Sequence, residues 1–148
     1  MSALEPFMAY AAAFEETFLD DAWERLEPYF AENAVYDVES SLFGCHVEGR
    51  SAILTALKKS LDGFDRCMAG REIALREPPS ESENRVELRW AVTYTKDGAP
   101  PFVLEGCSVV DYEDGRITRL TDSYTDAVSA GAAAWSREHA PDCTFSYV

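Results

Sequence analysis

Apolar residues recur every three or four positions in two stretches of the chain's first half, at Phe7, Tyr10, Phe14 and Phe18 and again at Ile53, Leu57, Leu61 and Phe64. Each series puts one stripe on a helix face. Ser2-Ala3-Leu4-Glu5 has the form of a capping box and Pro6 falls in the first turn, so the spacing predicts a helix from here. Asp21-Ala22-Trp23-Glu24 repeats the capping logic for a second, short helix that Pro28 kinks or ends. Residues 34–39 read A-V-Y-D-V-E, a short strand, followed by a loop with Gly44. Gly49-Arg50-Ser51 then opens a third helix that stops at Asp62-Gly63.

From Arg71 the period changes to strict alternation. R-E-I-A-L-R-E, V-E-L-R-W-A-V-T-Y-T, F-V-L-E-G-C-S-V-V-D-Y and R-I-T-R-L-T-D-S-Y each predict a strand. Asp-Gly pairs at 97–98 and 114–115 mark hairpin turns between the last three, and 78–84 is a polar loop. Asp126 is placed to cap a last helix with Val128, Ala132 and Trp135, stopped by Pro141. The tail C-T-F-S-Y-V alternates, which suggests an edge strand or a subunit contact. Helices alongside a curved, mostly antiparallel sheet give an α+β class with helices on one sheet face, in a single domain over 1–148.

Thirteen basic against 27 acidic residues leave a formal charge of −14. Phosphate backbones and anionic bilayers are repelled by such a surface, so neither nucleic acid nor membrane is an expected partner. The segment F-M-A-Y-A-A-A-F has no Lys or Arg before Arg25, unlike a secretory signal, and no run reaches the ~20 apolar residues of a membrane span. The expectation is a cytoplasmic protein. Cys45, Cys67, Cys107 and Cys143 are scattered without a C-x-x-C pair, and only His46 and His139 are available to join them. That pattern predicts reduced thiols and no metal site, and no cofactor is implied.

Strand parity separates candidate chemistry from wet surface. Ala34, Tyr36 and Val38 share one face of the first strand, and Val35, Asp37 and Glu39 share the other. Burying an unpaired carboxylate costs several kcal/mol, so the Tyr36 face is the inward one and Asp37 and Glu39 are solvated or paired with a neighbouring Arg. Asp122, in contrast, shares its face with Leu120 and Tyr124, where a carboxyl could have a raised pKa and act as acid or base. Val86, Leu88, Trp90, Val92 and Tyr94 form an apolar face that lines either a pocket or a dimer contact. Glu105 is placed for a cross-strand pair with Arg89. His46, in the loop after the first strand, is placed over a pocket mouth and titrates near neutrality.

The order of these segments, with F-A-E-N-A-V-Y-D-V, E-G-R-S-A-I-L and D-G-R-I-T-R-L-T-D-S-Y-T-D, resembles the nuclear-transport-factor-2-like superfamily, particularly its SnoaL-like members, over almost the whole chain. The resemblance implies a cone-shaped, cystatin-like α+β barrel around an apolar pocket, commonly in a homodimer. It names ketosteroid isomerases, limonene-epoxide hydrolases and polyketide cyclases as relatives, beside proteins without chemistry. The isomerase tyrosine and aspartate fall on Phe14 and Val38, which cannot move a proton. The hydrolase aspartate falls on Asp122 and its water-positioning tyrosine on Tyr36, but its asparagine is again Val38 and its Arg-x-Asp pair has no counterpart. The resulting expectation is acid–base chemistry by Asp122 with Tyr36, Tyr124 or His46 polarising a small hydrophobic molecule. Phe14, Val38, Trp90, Leu120 and Tyr124 form the binding walls. The alternatives are a non-catalytic binder and a dimeric scaffold with a collapsed pocket.

Overall fold

The computed structural model describes residues 2–148. Helix α1 (Leu4–Asp20) begins where the sequence places it, although no reciprocal box forms. The Ser2 hydroxyl accepts the Leu4 N–H at 3.1 Å and donates to Glu81 at 2.6 Å. Asp21 does not start a second α-helix. It adopts a left-handed conformation (φ 61°) and returns its N–H to the Thr17 carbonyl, closing the C-terminus of α1. A 3-10 turn over Trp23–Tyr29 follows and contains Pro28 within it.

Strand β1 (Phe30–Glu39) starts four residues earlier than its apolar core suggests, with a register irregularity between Phe30 and Val35. The expected loop after it holds a further strand, β2 (Cys45–Glu48), paired antiparallel to β1. Its four residues are too few for periodicity to reveal. Helix α2 (Arg50–Gly63) is followed by β3 (Gly70–Leu75), β4 (Ser80–Glu81), β5 (Arg85–Thr95), β6 (Phe102–Glu113), β7 (Arg116–Ser123) and helix α3 (Asp126–His139). The N-cap of α3 is Thr125, whose hydroxyl accepts the Val128 N–H; Asp126 sits one position inside, in the first turn.

The strands form one sheet in the order β2-β1-β7-β6-β5-β3, with β4 also on β5. All pairs are antiparallel except β1 with β7. The chain is thus an α+β domain with helices against a curved, mostly antiparallel sheet. Ala34, Tyr36 and Val38 are buried, as their shared face on the first strand predicts, and the Asp37 carboxylate pairs with Arg119 on the outer face. The expected Glu105–Arg89 pair does not form; Glu105 binds Arg76 and Arg89 binds Glu77, because Arg89 lies opposite Cys107.

One core, including Leu26, Phe30, Tyr36, Ile53 and Ile117, joins α1 and α2 to the sheet. Each such side chain contributes about 1.5–3 kcal/mol on burial. A second core gathers Phe64, Tyr94, Leu104 and Trp135 under α3. The tail after α3 forms no strand. Its Thr144 N–H bonds the Gly63 carbonyl at 2.7 Å, and Phe145 stacks on Phe64 at 3.8 Å, so the tail turns inward rather than along a sheet edge. Among the described residues no helix is long and apolar enough to cross a membrane.

Candidate active site

The parallel pairing of β1 with β7 sets Tyr36 beside Leu120 and Val38 beside Asp122. The antiparallel pairing of β6 with β7 sets Ser108 opposite Asp122. Parity then points Tyr36, Ser108 and Asp122 to the inner side of the sheet. The Tyr36 hydroxyl donates to Asp122 Oδ2 at 2.8 Å, and the Ser108 hydroxyl donates to Oδ1 at 2.5 Å. Ser108 itself accepts the Trp90 indole N–H at 2.8 Å. The chain Trp90 to Ser108 to Asp122 fixes the carboxyl from one side and Tyr36 fixes it from the other.

These groups border a cavity of about 520 Å³, open to solvent and lined by α1, α2, the inner face of β1, β3 and β5–β7, and the tail. That is the size of a small-molecule site. Its walls are largely apolar, with Leu57, Leu88, Val92 and Leu104 among them. Asp122 retains some accessible surface, and the cavity is what that surface faces. Burial pushes the Asp122 carboxyl above the usual carboxylate range, while the Ser108 and Tyr36 hydrogen bonds pull it part of the way back. Burial, then the adjacent Asp122 charge, pushes the Tyr36 phenol well above its ordinary value, so it acts as a neutral donor.

A second polar group lies at another part of the same cavity. Arg71 Nε binds Asp65 at 2.7 Å and its guanidinium also reaches Glu15 at 2.8 Å, while the Tyr94 hydroxyl donates to Asp65 at 3.1 Å. The Arg71 guanidinium also lies 4.8 Å from the centre of the Phe18 ring. Its charge is met on each side, which suits an element of the wall.

Of the residues singled out from sequence, Asp122, Tyr36, Phe14, Trp90, Leu120 and Tyr124 all border the cavity. Val38 does not: it is packed in the core behind the wall. His46 does not reach the site either. It lies on β2 directly opposite Asp37, so its ring is on the outer face, where Nδ1 meets the Asp37 carboxylate. The hydrogen bond that the imidazole donates to the Asp37 carboxylate raises the His46 pKa above its ordinary value of 6.5.

Besides Arg71, Asp65 and Glu15, the residues Ser108, Gly106, Phe145 and Tyr147 contribute to the site without having been singled out from the sequence. Ser108 was legible by parity, since it shares its face with Leu104 and Val110. Gly106 had the signal of a lone glycine inside a strand. A Cβ there would come within 2.5 Å of the Trp90 ring and 3.0 Å of Tyr124, so its missing side chain makes room for both. Phe145 and Tyr147, also in the wall, carried no signal, because nothing in an alternating tail says which surface it meets. Among the described residues no group of three or more His, Cys, Asp or Glu is arranged to hold a metal ion.

Helices over one curved, mostly antiparallel sheet are the arrangement of the nuclear-transport-factor-2-like fold. The chain belongs to the SnoaL-like domain family, whose sequence profile matches residues 9–120. A candidate polyketide cyclase from Xanthomonas campestris pv. campestris is similar at 25% identity, covering 82% of this chain and 91% of that one, with a TM-score of 0.55. A candidate isomerase from Rhodopseudomonas palustris superposes with a TM-score of 0.70 at 15% identity, over 87% of this chain and 96% of that one. An epoxide hydrolase of the limonene-epoxide-hydrolase-like kind from M. tuberculosis gives a TM-score of 0.60 at 17% identity, over 88% and 92%. The last two likenesses bear on the fold. No functionally curated protein matches the chain in sequence.

Proposed function

We propose that the protein is an enzyme that uses acid–base chemistry on an apolar, oxygen-bearing small molecule of polyketide, terpenoid or steroid type. The observation that carries this reading is the Asp122 carboxyl inside an apolar cavity, held by donors from two other strands. A carboxyl whose pKa is raised by burial is a stronger base when ionised than a surface one, and it holds its proton to higher pH. In its ionised form Asp122 takes a proton from a carbon acid or a water, and in its protonated form returns it to a ligand oxygen. Tyr36 spends its hydrogen on Asp122, so it positions the carboxyl rather than polarising the substrate. Tyr124, whose phenol burial keeps neutral, is the donor for a ligand oxygen.

The match to a candidate polyketide cyclase at 25% identity supports this class of substrate. The test is turnover of a panel of polyketide-like phenols, enones and terpene epoxides by wild type, Asp122→Asn and Tyr36→Phe. Loss of a positioned general base costs about 10²–10⁴-fold, so Asp122→Asn should fall by that factor. Undiminished turnover in both variants would sink the assignment.

A non-catalytic binder is the second reading, favoured by Phe14 and Val38 standing where the isomerases carry a proton donor and a base. It expects ligand-induced thermal stabilisation with no product. The scaffold reading required a collapsed pocket, and the 520 Å³ cavity counts against it. A homodimer is part of the proposal, to be checked by light scattering.

A further inference from the structure

The tail delivers an aromatic ring into the wall of the cavity. Tyr147 packs edge-on against Tyr36 with ring centres 5.7 Å apart. The ring lines the same cavity as both polar groups of the site, and its hydroxyl neighbours Ser60 and Tyr124. Phe145, two residues earlier, is sandwiched against Phe64 and Phe43. The backbone attachment of this segment is slight. Thr144 N–H bonds the Gly63 carbonyl, and the Cys143 carbonyl accepts from the Ser136 hydroxyl at 3.3 Å. Beyond Thr144 the hydrogen bonds are local, Ser146 N–H to the Thr144 carbonyl and Ser146 hydroxyl to the Val148 carbonyl, and Val148 is exposed. The tail therefore holds its place by ring packing and not by a ladder.

We propose that Tyr147 is a built-in occupant of a ring-sized subsite beside Asp122, and that a ligand carrying a hydroxylated ring takes this subsite by displacing the tail. The phenol of Tyr147 shows what the subsite accommodates: a six-membered ring against Tyr36 and a hydroxyl among Ser60, Tyr124 and the carboxyl. The ring thereby sets which ligands fit, since a molecule short enough to leave Tyr147 in place sees a smaller cavity than one that expels it. The inference rests on reading the cavity as a ligand site, and it does not require Asp122 to be catalytic.

Two full-length variants vacate the subsite by different routes. Tyr147→Ala removes the ring. Gly63→Ala removes no cavity side chain, but its new Cβ would lie 2.9 Å from the Thr144 carbonyl oxygen and so pushes the tail, with Phe145 and Tyr147, off its anchor. The probe is p-cresol, the free form of the tyrosine side chain, with toluene as the ring without the hydroxyl. An emptied ring-sized cavity binds a matching small molecule. In Tyr147→Ala, p-cresol at ten times its dissociation constant should raise the melting temperature by about 3 °C or more, saturably. Toluene should bind about fivefold or more weakly, for want of the hydroxyl bonds. Wild type and Tyr147→Phe, whose subsite is filled, should respond far less, and Gly63→Ala should respond in the direction of Tyr147→Ala. Equal p-cresol responses in wild type and both vacated variants, or none in any, would overturn the proposal. Asp122-dependent turnover with no cresol effect would leave the enzyme reading standing alone. Cresol binding without Asp122-dependent turnover would overturn the acid–base reading and keep the subsite.

Discussion

Tyr36 on β1 donates its phenolic hydrogen to Asp122 on β7 at 2.8 Å, across the only parallel strand pair among the described residues. The parallel register sets Val38, not Tyr36, directly beside Asp122, so the bond is diagonal and only a side chain as long as tyrosine spans it. Removing the hydroxyl leaves the carboxyl with Ser108 as its remaining donor. Tyr36→Phe should therefore raise the Asp122 pKa further and cost about 1 kcal/mol of stability, read from denaturant unfolding. A loss of several kcal/mol would mean that the hydroxyl does more than hold the carboxyl.

The raised Asp122 pKa has a definite sign in stability. The folded state binds this proton more tightly than the unfolded one, whose carboxyl titrates near 3.8. Its contribution is favourable at low pH and is lost as pH rises through the elevated folded value. Asp122→Asn removes the titration. The melting temperature of wild type minus that of the variant should fall with rising pH between these two values, whatever the other groups do, and a flat difference would contradict the burial.

Gly106→Ala should cost about 1–3 kcal/mol, because a Cβ would strike the Trp90 ring, which is fixed to Ser108 by its indole N–H. The same change should disturb ligand binding, since the displaced ring and Tyr124 both border the cavity. Thermal melts and ligand titration on one sample separate the two effects.

His46 sits on the outer face with Asp37, so His46→Gln should leave turnover unchanged. Its pKa is raised by that carboxylate, hence its contribution to stability is present below 6.5 and disappears as pH passes the folded value. A small melting-temperature deficit in His46→Gln at low pH, closing at high pH, is the expected record. Nuclear magnetic resonance of the imidazole should show titration above 6.5.

Burial, with the neighbouring Cys67 thiol, pushes the Cys143 thiol up to about 11. At pH 8 about one molecule in a thousand then carries the thiolate. Iodoacetamide should leave Cys143 unmodified by mass spectrometry over a time in which free cysteine reacts completely.

The elements that could be read from the chain were those whose partner is solvent on one side. The α1 stripe, the alternation of β5 to β7 and the Asp-Gly turns each follow from amphipathic periodicity, which any core imposes. The same parity put Asp122 inside with Leu120 and Tyr124, and Asp37 outside. The resemblance to SnoaL-like proteins added an order of elements, which the fold and the family match uphold.

What depended on long-range pairing was not legible. β2 is four residues long, and its pairing with β1 alone turns His46 away from the cavity. Val38 has the right parity but lies behind the wall, because parity gives a side and not a depth. The tail has the composition of a strand, yet its rings pack into the hollow at Phe64 and Tyr36 rather than along an edge. Local sequence thus determined the periods, the turns and the face on which each residue lies. Tertiary structure decided which faces meet, since packing is a contest between surfaces far apart in the chain, and it is that contest which brought Tyr36, Ser108, Asp122 and Tyr147 to one cavity.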